Sequence, residues 1–251
     1  MPPLFTSLCA ALVWLVFSVK AASQSPAHAG EWVVLLHGHG RTALSMKPVE
    51  WMLEGAGYRV VNVNYPSWRV PVERLADEQL HRALTTRVPA DATRIHFVTH
   101  SMGGILVRQY LTAHELPRLG RVVMLGPPNQ GSELADKFKS NALMRWLGGR
   151  NLPRLGTAED DLPQRLGAVN FECGVIAGDR QAFGWPRLQA GPSDGKVAVA
   201  STAVAGMRDA TTVHASHTFM MWQCETLRQV EHFLENGRFQ DAQCTLSNEK
   251  P

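Results

Sequence analysis

The sequence predicts an α/β fold with a mostly parallel central sheet and helices on both of its faces. Short, continuous apolar runs alternate along the chain with segments of helical periodicity, as buried parallel strands and their crossover helices require. The 251 residues are 45% apolar and 19% charged, which is enough apolar content for a large core. The formal net charge is only +3, so the composition offers no electrostatic reason to expect a nucleic-acid partner.

Residues 1–29 are predicted to form a secretory signal peptide. The apolar run over residues 8–19 would span about 18 Å as a helix, short of the roughly 30 Å core of a bilayer. Lys20 and a small, polar run follow, with an A-x-A pattern at residues 27–29 and a second cleavage option at Ala21-Ala22. We therefore expect export, to the periplasm or outside the cell. An uncleaved N-terminal membrane anchor and a misassigned start codon are the alternatives.

The elements of the remaining chain follow from its apolar patterns. Predicted strands cover residues 32–37, 58–65, 94–100, 121–126, 171–178 and, more weakly, 210–215. Predicted helices cover residues 45–54, 71–88, 102–115 and 219–234. The last helix is expected to bury Trp222, Leu227, Val230 and Leu234 on one face. The tryptophans outside the signal peptide are expected mostly in the core or in a pocket wall.

Residues 127–166 break this alternation. They contain no predicted strand, and their amphipathic pattern is interrupted by Gly and Pro. The segment is either an ordinary crossover helix with loops or a small cap over a substrate pocket. The predicted organisation is one α/β domain over residues 30–240, in which 127–166 could be a cap insertion, and a C-terminal tail over 241–251.

The four cysteines are too few for a disulfide scaffold. Cys9 lies in the signal peptide, and Cys173 lies in an apolar strand where burial is expected. Cys224 and Cys244 are close enough in sequence to pair in an oxidising compartment. The alternative is that they are two unrelated thiols.

A candidate nucleophile stands where the third predicted strand meets a helix. The segment His100-Ser101-Met102-Gly103-Gly104 places Ser101 in a tight turn at the carboxyl end of that strand, where open α/β sheets bind ligands. The turn resembles the nucleophile elbow G-x-S-x-G of lipase-like members of the α/β-hydrolase family, with Thr99 in place of the first glycine. The alternative is a serine that caps a helix.

A glycine-rich turn follows the first predicted strand. His37-Gly38-His39-Gly40 resembles the oxyanion element H-G-x-G of the same family. This resemblance implies that the backbone amides of His39 and Met102 form the oxyanion hole. A phosphate-binding loop is the alternative, but neither of the glycine patterns typical of such loops is present.

A serine hydroxyl is a weak nucleophile, so a base must accept its proton. The sequence contains ten histidines, and we choose among them by their position relative to the predicted strands. His214 and His217 both follow the last predicted strand. The segment ASHTFM around His217 resembles the catalytic-histidine loop of the family, so we favour His217 and keep His214 as the alternative.

The acid is expected between the serine and the histidine in this family. Asp194-Gly195-Lys196-Val197 resembles the D-G-x-V acid turn of lipases, whereas Asp179 stands directly at the end of the fifth predicted strand. We favour Asp194 and keep Asp179 as the alternative. The order Ser101, Asp194, His217 then agrees with the order in the family.

The motifs HGHGRT at 37–42 and GPPNQGS at 126–132 also look like bacterial lipase-like hydrolases, and the resemblance extends over about residues 32–235. It implies hydrolysis of carboxylic esters through an acyl-enzyme, with Ser101 as nucleophile, His217 as base and Asp194 as its orienting acid. A thioesterase or acyltransferase with the same residues is the main alternative. A non-catalytic binding protein on this scaffold would be expected to lack one of the three.

No cofactor is expected, and the substrate should be a small-molecule or lipid ester. His96 and His100 share one face of the third strand, but no carboxylate or cysteine stands at ligand spacing around them, so we expect no metal. Arg145, Arg150 and Arg154 of the 127–166 segment are expected to form a solvated face of the possible cap, with transient contact to a membrane surface as the alternative.

Overall fold

A computed structural model of the chain describes residues 28–140, 142–181 and 191–241. The predicted signal peptide up to residue 27 and the tail from residue 242 onward lie outside these residues, and so does Cys244. The expectations about export and about pairing of Cys224 with Cys244 therefore stay predictions. Within the described segments, no helix combines the length and the apolar character that a membrane crossing demands.

One sheet organises the described chain, and all of its pairings are parallel. The spatial order of the strands is β2-β1-β3-β4-β5-β6. The strands are β1 (Glu31–Leu36), β2 (Arg59–Val63), β3 (Arg94–His100), β4 (Leu119–Leu125), β5 (Cys173–Gly178) and β6 (Asp209–Val213). The predicted fold class is confirmed. β2 ends earlier than its apolar pattern indicated, because the Tyr65 amide donates to His37 Nε2 and not to the ladder.

Helices connect these strands and cover both faces of the sheet. They are α1 (Lys47–Gly55), α2 (Val72–Arg74), α3 (His81–Arg87), α4 (Met102–Ala113), α5 (Glu133–Lys139), α6 (Ala142–Leu147), α7 (Leu162–Arg165), α8 (Val199–Thr202) and α9 (Cys224–Asn236). A π-helical segment, Leu75–Leu80, joins α2 to α3, so residues 72–87 form one helical run.

The core divides into two apolar layers because neighbouring residues of a strand point to opposite faces. Val33 and Leu35 belong to one layer, which packs under α1 and α9. Val34 and Leu36 belong to the other layer, which packs under α4 and the 72–87 helical run. This double coverage explains why the strands appear in the sequence as continuous apolar runs.

The sequence prediction for the last helix was wrong at Trp222. A short 3₁₀ turn, Met220–Trp222, precedes α9, and its two methionines are buried while Trp222 is exposed. Phe233 completes the buried face of α9 in its place. Trp51 is exposed as well, whereas Trp32 packs against the core, and the exposed Trp68 and Trp146 line a surface depression.

The described residues of the 127–166 segment form short helices and no strand, and a buried arginine attaches the segment to the domain. Arg108 of α4 donates from Nη1 to Asn129 Oδ1 (3.0 Å) and from Nη2 to the Pro163 and Gly167 carbonyls (3.1 and 2.6 Å). Burial lowers the pKa of Arg108 to about 10. These bonds fix both ends of the segment to the helix that follows Ser101. A cap function for it stays a prediction.

Candidate active site

Ser101 lies between β3 and α4 in a conformation that non-glycine residues rarely adopt. Its φ of 53° is the one positive φ of a non-glycine residue in the described chain. Such backbone strain of about 1–3 kcal/mol persists only where surrounding contacts hold it. The Ser101 amide donates to the Leu125 carbonyl (2.8 Å), and the Ser101 carbonyl accepts from the Gly104 amide (2.9 Å). The turn is thus held to the neighbouring strand on one side and to the helix on the other.

The small residues of this turn have identifiable roles. A Cβ atom at Gly103 would lie 2.5 Å from the Leu36 carbonyl oxygen, so only glycine lets α4 approach β1 this closely. Thr99 stands where the family pattern has its first glycine. Its side chain is fully buried, with Oγ1 3.5 Å from the Val123 carbonyl oxygen, so the structure accommodates the β-branched residue beside β4.

We expect Gly103→Ala to destabilise the protein by about 1–3 kcal/mol, because the added methyl group meets backbone atoms that cannot rotate away. Gly55→Ala is the matched control, since a Cβ there has nothing within 4 Å and alanine is the better helix former. Chemical denaturation of both variants measures the difference. Equal stability of the two would contradict the close approach of α4 to β1.

His217 and Asp194 continue a chain of hydrogen bonds from Ser101. His217 Nε2 lies 2.9 Å from Ser101 Oγ, and His217 Nδ1 lies 2.6 Å from Asp194 Oδ2. An ionised carboxylate only accepts, so Nδ1–H must donate to it, and Nε2 is left free to accept the serine proton. Both side chains are buried. His217 therefore lies within hydrogen-bond distance of both Ser101 and Asp194.

The loop of Asp194 holds its carboxylate in place. Oδ1 accepts from the amides of Lys196 (2.9 Å) and Val197 (2.8 Å), and the Asp194 carbonyl accepts from the His217 amide (2.9 Å). The aspartate thus positions the histidine through both its side chain and its backbone.

The two alternatives for acid and base pair with each other instead. Asp179 Oδ1 lies 2.9 Å from His214 Nδ1, and both side chains are well exposed to solvent. Neither residue lines the cavity beside Ser101. The structure therefore does not bring Asp179 or His214 to the candidate nucleophile.

The predicted oxyanion loop is attached from several sides. A Cβ at Gly38 would lie 3.1 Å from Ser101 Cβ, so the loop runs directly against the nucleophile turn. The Tyr65 hydroxyl donates to the His37 carbonyl, and the Gly40 amide donates to Ser67 Oγ (3.0 Å). Burial lowers the pKa of His37 and keeps this histidine neutral. No hydrogen bond engages the His39 or Met102 amide within the described chain, so both donors are available to a ligand.

A cavity of about 100 Å³ opens beside Ser101. Its wall has an apolar part and a cationic part. The apolar part comprises Pro128, Leu134, Leu152, Leu155 and Val197, and the cations are Arg41 and Lys196. Among the described residues, no cluster of three or more His, Cys, Asp or Glu side chains could hold a metal ion.

A family model described as the alpha/beta hydrolase family matches residues 33–242 of this chain. The chain belongs to the alpha/beta hydrolase family. The match covers the sheet from residue 33 onward and every residue discussed at the candidate site. No curated protein matches the sequence.

Solved structures of a lipase, a carboxyl esterase and a phospholipase share this architecture. The mature form of a lipase from Bacillus licheniformis has 19% identity and a TM-score of 0.60, over 80% of this chain and 89% of that one. A metagenomic carboxyl esterase has 22% identity and a TM-score of 0.59, over 77% of this chain and 65% of that one. A phospholipase from Legionella pneumophila has 20% identity and a TM-score of 0.57, over 69% of this chain and only 44% of that one. At these identities the likeness concerns the fold.

Sequence reasoning about this alpha/beta hydrolase missed the role of His100. The His100 side chain is buried, and its Nε2–H donates to the His217 carbonyl (2.9 Å). Burial, followed by the charges of His217 and Arg41, holds the pKa of His100 well below its usual range, so the ring stays neutral. The residue before the serine thereby fixes the backbone of the histidine loop. Arg41 and Lys196 were also missed, although both lie in motifs that the sequence singled out.

Proposed function

We propose that this protein is a serine hydrolase that cleaves carboxylic esters through an acyl-enzyme intermediate. The observation that carries the proposal is the continuous series of hydrogen bonds from Ser101 through His217 to Asp194. Membership of the alpha/beta hydrolase family and the fold shared with lipases and esterases support an ester substrate.

In the proposed reaction, Ser101 Oγ attacks the acyl carbonyl as its proton passes to His217 Nε2. Asp194 stabilises the imidazolium that forms. The oxygen of the tetrahedral intermediate accepts hydrogen bonds from the His39 and Met102 amides, each of which contributes about 3–4 kcal/mol in comparable sites. His217 then protonates the leaving alcohol. In the second half of the reaction, His217 takes a proton from a water molecule as the water attacks the acyl carbonyl, and His217 returns a proton to Ser101 Oγ as the acid is released.

The cavity volume supports a small acyl group. About 100 Å³ is well below the roughly 300–1,000 Å³ of typical ligand pockets. A panel of 4-nitrophenyl esters from acetate to palmitate tests the proposal, and we propose that the short chains are cleaved best. Hydrolysis of none of these esters would overturn the proposed function.

Acyl transfer is the second candidate, because the acyl-enzyme can also react with an alcohol. The apolar part of the cavity wall, which could hold the hydrocarbon portion of an alcohol, is the observation that favours this candidate. Supplying a short alcohol with the ester distinguishes the two functions, since an acyltransferase forms the exchanged ester in preference to free acid.

We also propose a membrane-surface contact next to the site. Trp68 and Trp146 are exposed and line one surface depression together with Arg69, Arg145 and Arg150. The Trp68 ring stacks on His39, with 5.3 Å between the ring centroids, so this surface adjoins the Ser101 cavity. Exposed aromatic rings beside arginines suit an anionic lipid surface. Arg154 does not belong to this group, because it pairs with Glu73 (2.8 Å).

Arg145→Gln is therefore expected to weaken binding to phosphatidylglycerol-containing vesicles about fivefold, as loss of one interfacial charge does. Trp146→Gln should weaken binding to both these and pure phosphatidylcholine vesicles, whereas Trp51→Gln, at an exposed tryptophan elsewhere, should change neither. Vesicle sedimentation measures all three variants. Equal effects of Trp51→Gln and Trp146→Gln would refute this surface.

A further inference from the structure

Two cationic side chains line the cavity that holds Ser101. Arg41 follows the glycine-rich loop after β1, and Lys196 belongs to the Asp194 turn. Both are half-buried, and their backbones are fixed: the Arg41 amide donates to the Gly38 carbonyl (3.3 Å), and the Lys196 carbonyl accepts from Ser132 Oγ (2.7 Å). The two charges therefore stand at defined places beside the candidate nucleophile.

Neither cation has an acidic partner in the described chain. Arg41 Nη2 donates to the carbonyl of Thr218 (3.1 Å), the residue after His217. The other N–H groups of the Arg41 guanidinium have no hydrogen-bond acceptor in the described chain. The Lys196 ammonium has no hydrogen-bond or ion-pair partner among the described residues. Outside those residues, the sequence contains a single acidic side chain, Glu249. Most exposed ammonium and guanidinium groups donate their hydrogen bonds to water, but Arg41 and Lys196 are partly shielded from solvent.

The electrostatics of the cavity show the consequence. Burial, and next the charge of Arg41, lower the pKa of Lys196, and the charge of Asp194, the smallest of the three causes, opposes this shift. Burial also lowers the pKa of Arg41. The one nearby carboxylate, Asp194, is already occupied by His217 and two backbone amides. The cavity wall thus carries the two like charges of Arg41 and Lys196, while the Asp194 carboxylate lies behind His217 and does not line the cavity. A bound anion would stabilise this arrangement.

The neighbouring histidines do not compensate for this excess. Burial lowers the pKa of His39, and the charge of Lys196 contributes to the same shift. The residue His39 lines the same cavity, but its Nε2 atom is buried away from it. The His39 Nδ1–H donates to the Ser67 carbonyl (3.2 Å), so Nε2 is the unprotonated nitrogen, and the neutral ring adds no negative charge to the cavity.

We propose that Arg41 and Lys196 bind an anionic group of the substrate, a carboxylate or a phosphate, and so select esters that carry a negative charge near the scissile bond. The proposal rests on the proposed ester hydrolysis and names its substrate class. The apolar part of the wall receives the short hydrocarbon portion of the substrate, and the two cations receive its charged end. Arginine and lysine both form charge-assisted hydrogen bonds with such groups.

Paired substrates test this selection. Mono-4-nitrophenyl glutarate is compared with 4-nitrophenyl pentanoate, and 1-acetylglycerol 3-phosphate with 1-acetylglycerol. We expect kcat/KM to favour the anionic member of at least one pair by about 10- to 100-fold, mainly through KM, as charge-assisted hydrogen bonds provide. The pair that shows the preference identifies whether the group is a carboxylate or a phosphate.

Variants assign the preference to the two residues. Lys196→Met and Arg41→Met should each reduce the ratio of anionic to neutral kcat/KM about tenfold, and Lys196→Glu should invert it. Lys137→Met and Arg228→Met, which remove exposed charges elsewhere, are the matched controls and should keep the wild-type ratio. The ratio is insensitive to a general loss of active protein, since both substrates see the same enzyme.

Two results would overturn the proposal while leaving ester hydrolysis intact. One is equal efficiency of the wild type within both pairs, and the other is an unchanged ratio in Lys196→Met and Arg41→Met. If the wild type cleaves no ester, the proposed function fails, and calorimetric titration with glutarate and inorganic phosphate decides the binding claim. Saturable binding that weakens at least tenfold in Lys196→Met supports it, and the absence of millimolar binding refutes it.

Discussion

Ser101→Ala is expected to lower kcat for ester hydrolysis by at least about a thousand-fold, because no other group would replace the attacking oxygen. The His39 and Met102 amides remain in the variant, so a residual acceleration over the uncatalysed reaction should persist. The protein should stay folded, since the Ser101 side chain contributes one hydrogen bond, to His217. The measurement is kcat with a short 4-nitrophenyl ester, together with the thermal unfolding midpoint.

A second variant separates loss of chemistry from loss of fold at this position. Ser101→Gly also removes the hydroxyl, but glycine accepts a φ of 53° without strain, so this variant should be inactive and about 1 kcal/mol more stable than Ser101→Ala. Ser140→Ala, at an exposed serine, is the control that should keep full activity. Substantial activity in both Ser101 variants would place the nucleophile elsewhere.

Asp194→Asn is expected to lower kcat by about four orders of magnitude, as the corresponding change does in a serine protease with a Ser-His-Asp triad. The amide group of asparagine can donate to His217 Nδ1, which favours the tautomer that carries the proton on Nε2. An Nε2–H cannot accept the proton of Ser101. The oxygen that Asp194 presents to the Lys196 and Val197 amides is available in asparagine, so the turn should persist.

Asp179→Asn is the matched control for this change. Asp179 is exposed and pairs with His214, away from the Ser101 cavity. The kcat of the Asp179→Asn variant should therefore remain within about twofold of the wild-type value. Circular dichroism of both variants checks that each is folded. A larger kinetic loss in Asp179→Asn than in Asp194→Asn would move the acid to the other site.

Much of the fold could be predicted because parallel strands buried on both faces leave continuous apolar runs. Such runs anticipated β1 and β3 to within a residue at either end. The buried face of a helix was harder to predict near the ends of the helix. The 3₁₀ turn before α9 changes the direction of Trp222, and the 3.6-residue periodicity of the sequence does not record such a change.

The candidate site was predictable to the extent that its parts are local motifs. The turn around Ser101 and the loop around Asp194 each depend on glycines and backbone amides a few residues away. His100 was missed because its burial and its bond to the His217 carbonyl have no local signature. Arg41 and Lys196 were missed for a related reason, since an unpaired charge is recognised only when every neighbouring side chain is in place.

By itself, the sequence determined the alternation of strands and helices, the tight turn at Ser101 and the order of the candidate serine, acid and histidine. These features depend on residues that are close along the chain. Only the tertiary structure decided that Asp194 reaches His217 while Asp179 turns to His214, and that Arg41 and Lys196 meet in one cavity. The physical reason is that the carboxyl ends of parallel strands converge at one edge of the sheet, where residues far apart in sequence become neighbours.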